Sequence, residues 1–352
     1  MLVTNGKKIF DLVKLDAVFT TCDYLKRYIT GFLTEDGYVL IDNSGTYLYT
    51  DARYSKAAEK ILAGTEVTVK EIDRFSNVFE SLKAYKKIGV PLGVTVYPEY
   101  RQLKETGVEM IDITPAFKEA MTLKNDWELA QIQKSCEIAE TALLALLPQI
   151  KEGMMETEVA ALLEYNMRKL GANGLAFDTI VAFGANAAVP HHETGLDVLK
   201  FGDEILIDFG CRVNGYCSDI TRTFLFGDDG KHEEFKKAYN VVLTAHNLVQ
   251  QNLVSGMTCH QADAIARDYL NAQGYEGLFT HSLGHGIGLN IHEYPFVRKN
   301  GTEILTDGMV FSNEPGVYVA GSYGIRIEDT VVLQNGKVKS FMSKTDKNLL
   351  IL

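Results

Sequence analysis

The sequence predicts an α+β protein in two parts: residues 1–120 form a smaller α/β domain, and residues 121–352 form a curved antiparallel sheet covered by helices. Three observations carry that expectation. Strand-like and helix-like segments alternate through the first third of the chain. The texture changes near Leu123, where a long helical pattern begins. Beyond it the strands gather in blocks separated by helical stretches, as in α+β chains rather than parallel βαβ runs.

The elements follow in order. GYVLID and TYLYTDARY, joined at Asn43-Ser44-Gly45, carry aromatic and β-branched residues on either side of turn formers and predict a hairpin. A short amphipathic helix is expected over residues 54–62, and apolar segments at 88–96 and 110–113 complete the first layer. KNDWELAQIQKSCEIAETALLALLPQI then has helical period, with Leu129, Ile132, Cys136, Ala139 and Leu143 on one side and Asp126 as the expected cap. A second helix spans about 156–170 and stops at Gly171. DTIVAFG, DEILIDFGCRVNGYCSDITRTFLFG, GMVFSNEPGVYVAG and GIRIEDTVVL read as strands, divided by helices over about 233–253 and 259–273.

Bulk properties narrow the function. A chain of 352 residues with 46% apolar and 23% charged residues is globular and long enough for two cores. The net charge of −11 argues against nucleic acid or an anionic membrane surface as partner. No apolar run approaches the roughly 20 residues needed to span a bilayer. The first residues lack the apolar block of a secretory leader. Cys22, Cys136, Cys211, Cys217 and Cys259 are odd in number, dispersed and without metal-binding spacing, so buried thiols in a reducing cytoplasm are expected.

Residues 205–225 hold the most informative pattern. Asn214-Gly215 favours a type I′ turn, which sets Val213 opposite Tyr216 and, further out, Asp208 opposite Thr221. Asp219 shares the face of Thr221, so the two aspartates become diagonal neighbours roughly 7–8 Å apart. Ile205, Leu206 and Ile207 run directly into Asp208. A charge entering such an apolar strand needs pairing or a metal, and two cations would suit this spacing. Glu314 in SNEPG and Glu328 in GIRIED flank a second glycine-containing turn, and their even separation places both on one face.

HSLGHGIGLNIHE adds His281, His285 and His292 within a glycine-rich stretch. It has no Walker lysine and no dinucleotide fingerprint, and His292-Glu293 is not followed by the second histidine of a zincin. Pro190-His191-His192-Glu193 offers His191 as a further candidate and leaves His192 peripheral.

Taken in order, VPHHE, IDFGCRVNGYCSDITRT, GHGIGLNIHE, NEPGVY and GIRIED resemble the Xaa-Pro peptidases of the pita-bread fold, prolidase and aminopeptidase P. The likeness is close over residues 124–340 and looser over the first 120, through Gly31-Phe32, TDARY and the helix that follows. It implies two divalent metal ions held by Asp208, Asp219, His285, Glu314 and Glu328. In that scheme Asp208 is terminal, Asp219 ligates both ions or bridges nearby, His285 and Glu314 complete the second ion, and Glu328 bridges. Four carboxylates and one imidazole favour Mn²⁺, with Co²⁺ and Zn²⁺ as alternatives. Glu314 is expected to carry the proton between nucleophile and leaving nitrogen. His281 and His292 are expected to stabilise the tetrahedral intermediate or fix its geometry, and His191 to line the proline side. Arg326 is expected to orient Asp208, and Tyr318 to support the substrate. The partners implied are small proline-containing peptides, and a homodimer is implied as well. One departure stands out: Phe296 follows HEYP where prolidases often place a basic residue, with Arg298 two positions on. Arg298 is therefore the candidate for holding a substrate carboxylate, and the choice between dipeptidase and aminopeptidase P stays open. Two other readings also stand, a non-catalytic peptide-binding homologue and a metal-dependent hydrolase of another small amide.

Overall fold

The computed structural model describes residues 3–74 and 76–352. The chain divides into two compact units, Met1–Met121 and Thr122–Leu352.

The first unit is built on six strands: β1 (Ala17–Thr20), β2 (Tyr38–Asp42), β3 (Gly45–Thr50), β4 (Val67–Glu71), β5 (Lys87–Val90) and β6 (Glu109–Asp112). Their order is β4-β3-β2-β1-β5-β6, antiparallel in the middle and parallel toward both edges. The β2–β3 hairpin closes with Asp42 opposite Gly45. Its turn forms because Asp42 Oδ1 accepts the Ser44 backbone N–H at 2.8 Å, an Asx turn. Phe19, Leu40 and Ile88 from the sheet are buried with Val78, Phe79 and Leu82 of the helix Ser76–Leu82.

The second unit opens with the helix Asp126–Leu146. Its cap is Asn125, one residue before the expected Asp126. Asn125 Oδ1 accepts the Glu128 N–H at 3.0 Å and Glu128 Oε2 accepts the Asn125 N–H at 2.9 Å. Asp126 stands instead in the first turn, where its charge meets the positive end of the helix dipole. The reciprocal cap satisfies two otherwise orphaned donors and contributes about 1 kcal/mol. Ile132, Cys136, Ala139 and Leu143 are buried as the period requires. The helix Glu156–Lys169 packs against it.

Three antiparallel strands, Ile220–Leu225, Glu204–Phe209 and Ile180–Phe183, pair in that order. A five-stranded sheet runs Glu293–Val297, Gly284–Gly286, Val310–Asn313, Asp329–Gln334, Lys337–Ser340, with the hairpin Gly316–Val319/Tyr323–Arg326 beside it. The helices Glu233–Asn252 and Cys259–Leu270 bury Phe235, Val242, Ala245, Val249 and Ala266 with Phe311, Val317, Ile325 and Val331. Among the described residues no helix is long and apolar enough to cross a membrane. All five cysteines are free. Burial raises the Cys136 thiol well above its ordinary value and lifts Cys217 to about 12, so neither offers a thiolate at neutral pH.

Candidate metal centre

The first carboxylate pair comes from one long hairpin. Asn214 and Gly215 both have positive φ, 48° and 86°, as a type I′ turn requires. Val213 lies opposite Tyr216, Arg212 opposite Cys217, and on the outer ladder Asp208 lies opposite Thr221. Between the ladders Gly210 and Asp219 are unpaired, although Gly210 lies so close to the second strand that a Cβ would stand 2.0 Å from Ser218 O. Asp219 thus makes no ladder hydrogen bond within the hairpin. Its backbone N–H instead donates to Thr330 Oγ1 at 3.0 Å, and that hydroxyl donates to Asp219 O at 2.8 Å.

The second pair obeys the same logic. Asn313 opposite Asp329 and Gly316 opposite Arg326 put Glu314 across from Glu328, in the gap between two ladders. Their amides leave the sheet pattern: Glu314 N–H donates to Leu283 O and Glu328 N–H to Thr221 O. Alternation along the strand sends Glu328 to the site and its neighbour Asp329 to the other face, where Arg222 Nη2 pairs with it at 2.9 Å.

Two of the site carboxylates are only partly satisfied. Thr221 Oγ1 donates to Glu328 Oε2 at 2.6 Å, yet Glu328 Oε1 is buried without a hydrogen-bond partner. Arg326 Nη2 donates to Asp208 Oδ2 at 2.7 Å, and Asp208 Oδ1 is likewise buried and unpartnered. Ser312 Oγ donates to Glu314 Oε1 at 2.9 Å. His285 Nε2 lies 3.4 Å from Glu314 Oε1 and 3.6 Å from Asp219 Oδ2. Its Nδ1 faces Gly286 O at 3.2 Å, which assigns the proton to Nδ1 and leaves the Nε2 lone pair for the cluster. Ligand atoms of Asp219, His285 and Glu328 fall within 4.8 Å of one another.

Burial and mutual repulsion push Asp219 and Glu328 well above the ordinary carboxylate range, and burial lifts Glu314 to about 8. Burial holds His285 down at about 4, in its neutral form. An ionised carboxylate left uncompensated in such a place costs several kcal/mol. Orphaned oxygens, stacked acids and a neutral imidazole are the donor set of a hard divalent cation, so these residues fit a metal pair.

The cluster forms one end of a cavity of about 420 Å³ whose wall also includes His191, His281, His292 and Arg326. Three expectations change here. Tyr318 is not in the wall; its hydroxyl lies behind it, accepting from Arg326 Nη1 at 2.7 Å and meeting His281 Nε2 at 2.8 Å. His281 has its other nitrogen on Ser282 O at 2.9 Å, so neither ring nitrogen is free for a substrate. Arg298 is exposed and outside the wall, its guanidinium carbon 5.9 Å from the ring of Phe296, which does line the cavity. The strand alternation that buries Val297 turns both flanking side chains outward, and only Phe296 is close enough to reach in.

Phe177, Asp178, Ile180 and Ile291 are wall residues that no motif singled out. Thr221 also supports the site, donating to Glu328 Oε2 from the position opposite Asp208.

A fold of this shape with four carboxylates and an imidazole around one cavity defines a metal-dependent hydrolase. Metallopeptidase family M24 matches residues 130–335, and the creatinase/prolidase N-terminal domain matches residues 7–120. The chain belongs to metallopeptidase family M24, and its C-terminal unit has the pita-bread fold. It is 35% identical to the Xaa-Pro dipeptidase of Pyrococcus furiosus, over 97% of both chains. The structure of the X-Pro aminopeptidase from Thermotoga maritima superposes with a TM-score of 0.92 at 33% identity, covering 99% of this chain and 100% of that one. The prolidase structure from Pyrococcus furiosus superposes with a TM-score of 0.88 at 34% identity, covering 96% and 99%.

Proposed function

We propose that this metallopeptidase hydrolyses the Xaa-Pro bond of dipeptides and short peptides, using two divalent cations, with Mn²⁺ favoured. The observation that carries the reading is the likeness to an Xaa-Pro dipeptidase along the whole chain, with Asp208, Asp219, His285, Glu314 and Glu328 lining one cavity. Asp208, Asp219, His285, Glu314 and Glu328 would hold the ions, which when bound supply Lewis acidity toward a water and toward the scissile carbonyl. The chain itself does the rest. Glu314 sits beside His285 and 3.7 Å from His281 Nδ1, where its carboxylate can take a proton from the attacking water. The same group returns that proton to the proline nitrogen, which cannot leave as an anion. His292, exposed on the wall, donates toward the oxygen that gains charge. His281 and Tyr318 keep Arg326 in place, and Arg326 orients Asp208. His191 lines the proline side. A cytoplasmic homodimer belongs to this reading as the family expectation.

A second reading, aminopeptidase P, has its own support. Arg326 is the one lysine or arginine in the described wall, and its guanidinium is occupied by Asp208, Thr221 and Tyr318. A dipeptide's terminal carboxylate therefore finds no free lysine or arginine in that wall. Hydrolysis of Ala-Pro, Ala-Pro-Gly and Ala-Ala-Gly, with and without Mn²⁺, separates the possibilities. Metal-dependent cleavage of Ala-Pro is expected; cleavage of Ala-Pro-Gly alone would make the chain an aminopeptidase P. No cleavage of either proline peptide by metal-loaded protein would sink the Xaa-Pro reading.

A further inference from the structure

Glu156 lies outside the cavity and has no part in the chemistry above, yet it gathers four hydrogen bonds from the loop that carries His191. Its Oε1 accepts from Phe183 N–H at 3.0 Å and Asn186 Nδ2 at 2.9 Å. Its Oε2 accepts from His192 Nε2 at 2.8 Å and Gly195 N–H at 2.8 Å. The side chain is fully buried at the start of the helix Glu156–Lys169. Four donors are the full capacity of a carboxylate. They come from residues 183–195, so the segment closes into a ring around a single acid, with Pro190 and His191 on its cavity side.

Stability alone does not require an acid there, because a buried charged group is often replaceable by apolar side chains without loss. An apolar residue could not, however, fix four donors along one loop. The loop is also pressed from its far side. Gly324 lies against it so closely that a Cβ would stand 1.7 Å from Ala187 O, and Arg326 Nη1 reaches Pro190 O at 3.4 Å. The loop is thus held between the acid and the strand that carries Arg326.

We infer that Glu156 is a positioning residue: with His192 and Asn186 as its contacts, it fixes the 183–195 loop so that His191 meets the substrate. The inference rests on the Xaa-Pro reading only for the role of His191. His192, peripheral by sequence, thereby becomes the link between the acid and its neighbour.

The test is a double-mutant cycle on metal-loaded protein with Ala-Pro and Ala-Pro-Gly. Glu156→Gln keeps the shape but turns an amide NH₂ toward donors. It is expected to lower kcat/KM on the order of 10- to 100-fold, the scale of a small misplacement at a reacting centre, with metal stoichiometry unchanged. In a His191→Ala background the same change should cost little. His192→Gln, which keeps an N–H donor, should retain most activity where His192→Phe does not. An equal loss in both backgrounds, or a loss of metal, would reduce Glu156 to a structural role. If Glu156→Gln does not fold, His192→Phe in the two backgrounds makes the same comparison. The imidazole NMR signals of His191 provide a readout without substrate: Glu156→Gln or His192→Phe should shift them, and unmoved signals would overturn the inference even if no Xaa-Pro peptide is cleaved.

Discussion

Arg326 Nη2 donates to Asp208 Oδ2 at 2.7 Å, while the other oxygen of Asp208 stays buried and unpartnered among the described residues. The same guanidinium gives Nε to Thr221 Oγ1 at 3.0 Å and Nη1 to the Tyr318 hydroxyl at 2.7 Å. Through Thr221 it reaches Glu328, and through Tyr318 it reaches His281. One planar fork thus aims two carboxylates and braces a cavity wall. Lysine would keep the charge but not the fork. Arg326→Lys is expected to lose on the order of 10- to 100-fold in kcat/KM or metal affinity, the usual scale for a group that orients a ligand. Steady-state kinetics with metal analysis checks this; unchanged values would mean that a point charge suffices.

Asp219 is pressed by burial and then by Glu328, Asp208 and Glu314. Asp219→Asn removes an ionisable group from that cluster. The metal-free variant is expected to be more stable than metal-free wild type at pH 8, by on the order of 1 kcal/mol for each unit of pKa shift relieved. Metal binding should respond in the opposite sense. A cation at 100 times its Kd stabilises a protein by about 2.7 kcal/mol, and the variant should lose that gain together with activity. Denaturant melts with and without Mn²⁺ test both halves. Normal activity in the variant would remove Asp219 from the ligand set.

How legible was this in the sequence? Local chemistry was readable wherever a turn set the register. Asn214-Gly215 put Asp208 opposite Thr221, and the ladder has that register. The even spacing of Glu314 and Glu328 likewise matches their facing positions. What could not be read are contacts between residues distant in the chain. Thr330 holds the backbone of Asp219, Glu156 collects donors up to 39 positions away, and Lys124 pairs with Glu293. None of these has a spacing rule, because each depends on how sheets and helices pack. Arg298 shows the converse limit: it lies two positions after Phe296 in sequence, yet strand alternation and exposure keep it outside the wall.

The buried acids also set a pH dependence for the metal-free protein. Glu314 titrates near 8 when folded rather than at 4.5, chiefly because of burial, and Asp219 and Glu328 are raised as well. Such a group holds its proton more tightly when folded. Its stabilising contribution is complete below the unfolded pKa and is lost as pH rises through the folded one. His285 and His281 act oppositely: burial lowers them from 6.5 to about 4 and about 3, so they weaken the fold only below pH 6.5. Above that value the carboxylates act alone. Stability of the metal-free protein should therefore fall from pH 6.5 to 8, by roughly 2 kcal/mol from Glu314. With metal bound the acids are already ionised, and the slope should vanish. Chemical denaturation across this range, with EDTA or with Mn²⁺, measures the difference; a flat metal-free profile would mean that the acids are not held protonated.

Two of the wall histidines, His281 and His292, should separate cleanly. His281 has Nδ1 on Ser282 O and Nε2 on Tyr318, and burial holds it neutral at about 3. It braces Tyr318 and Arg326 and has no N–H left to give. His292 is exposed, packs its ring 4.3 Å from that of His285, and has no hydrogen-bond partner among the described residues. Of these two rings it is therefore the one available to an oxygen gaining negative charge. His292→Ala should lower kcat on the order of 100-fold, the scale for removing one such donor, with full metal content and little change in stability. His281→Ala should instead destabilise the fold by about 1–3 kcal/mol, since it strips a buried hydroxyl of its partner. Kinetics, metal analysis and denaturation of both variants settle the division. A metal-depleted His292→Ala would make that histidine a ligand, and equal losses of kcat in the two would return His281 to the chemistry.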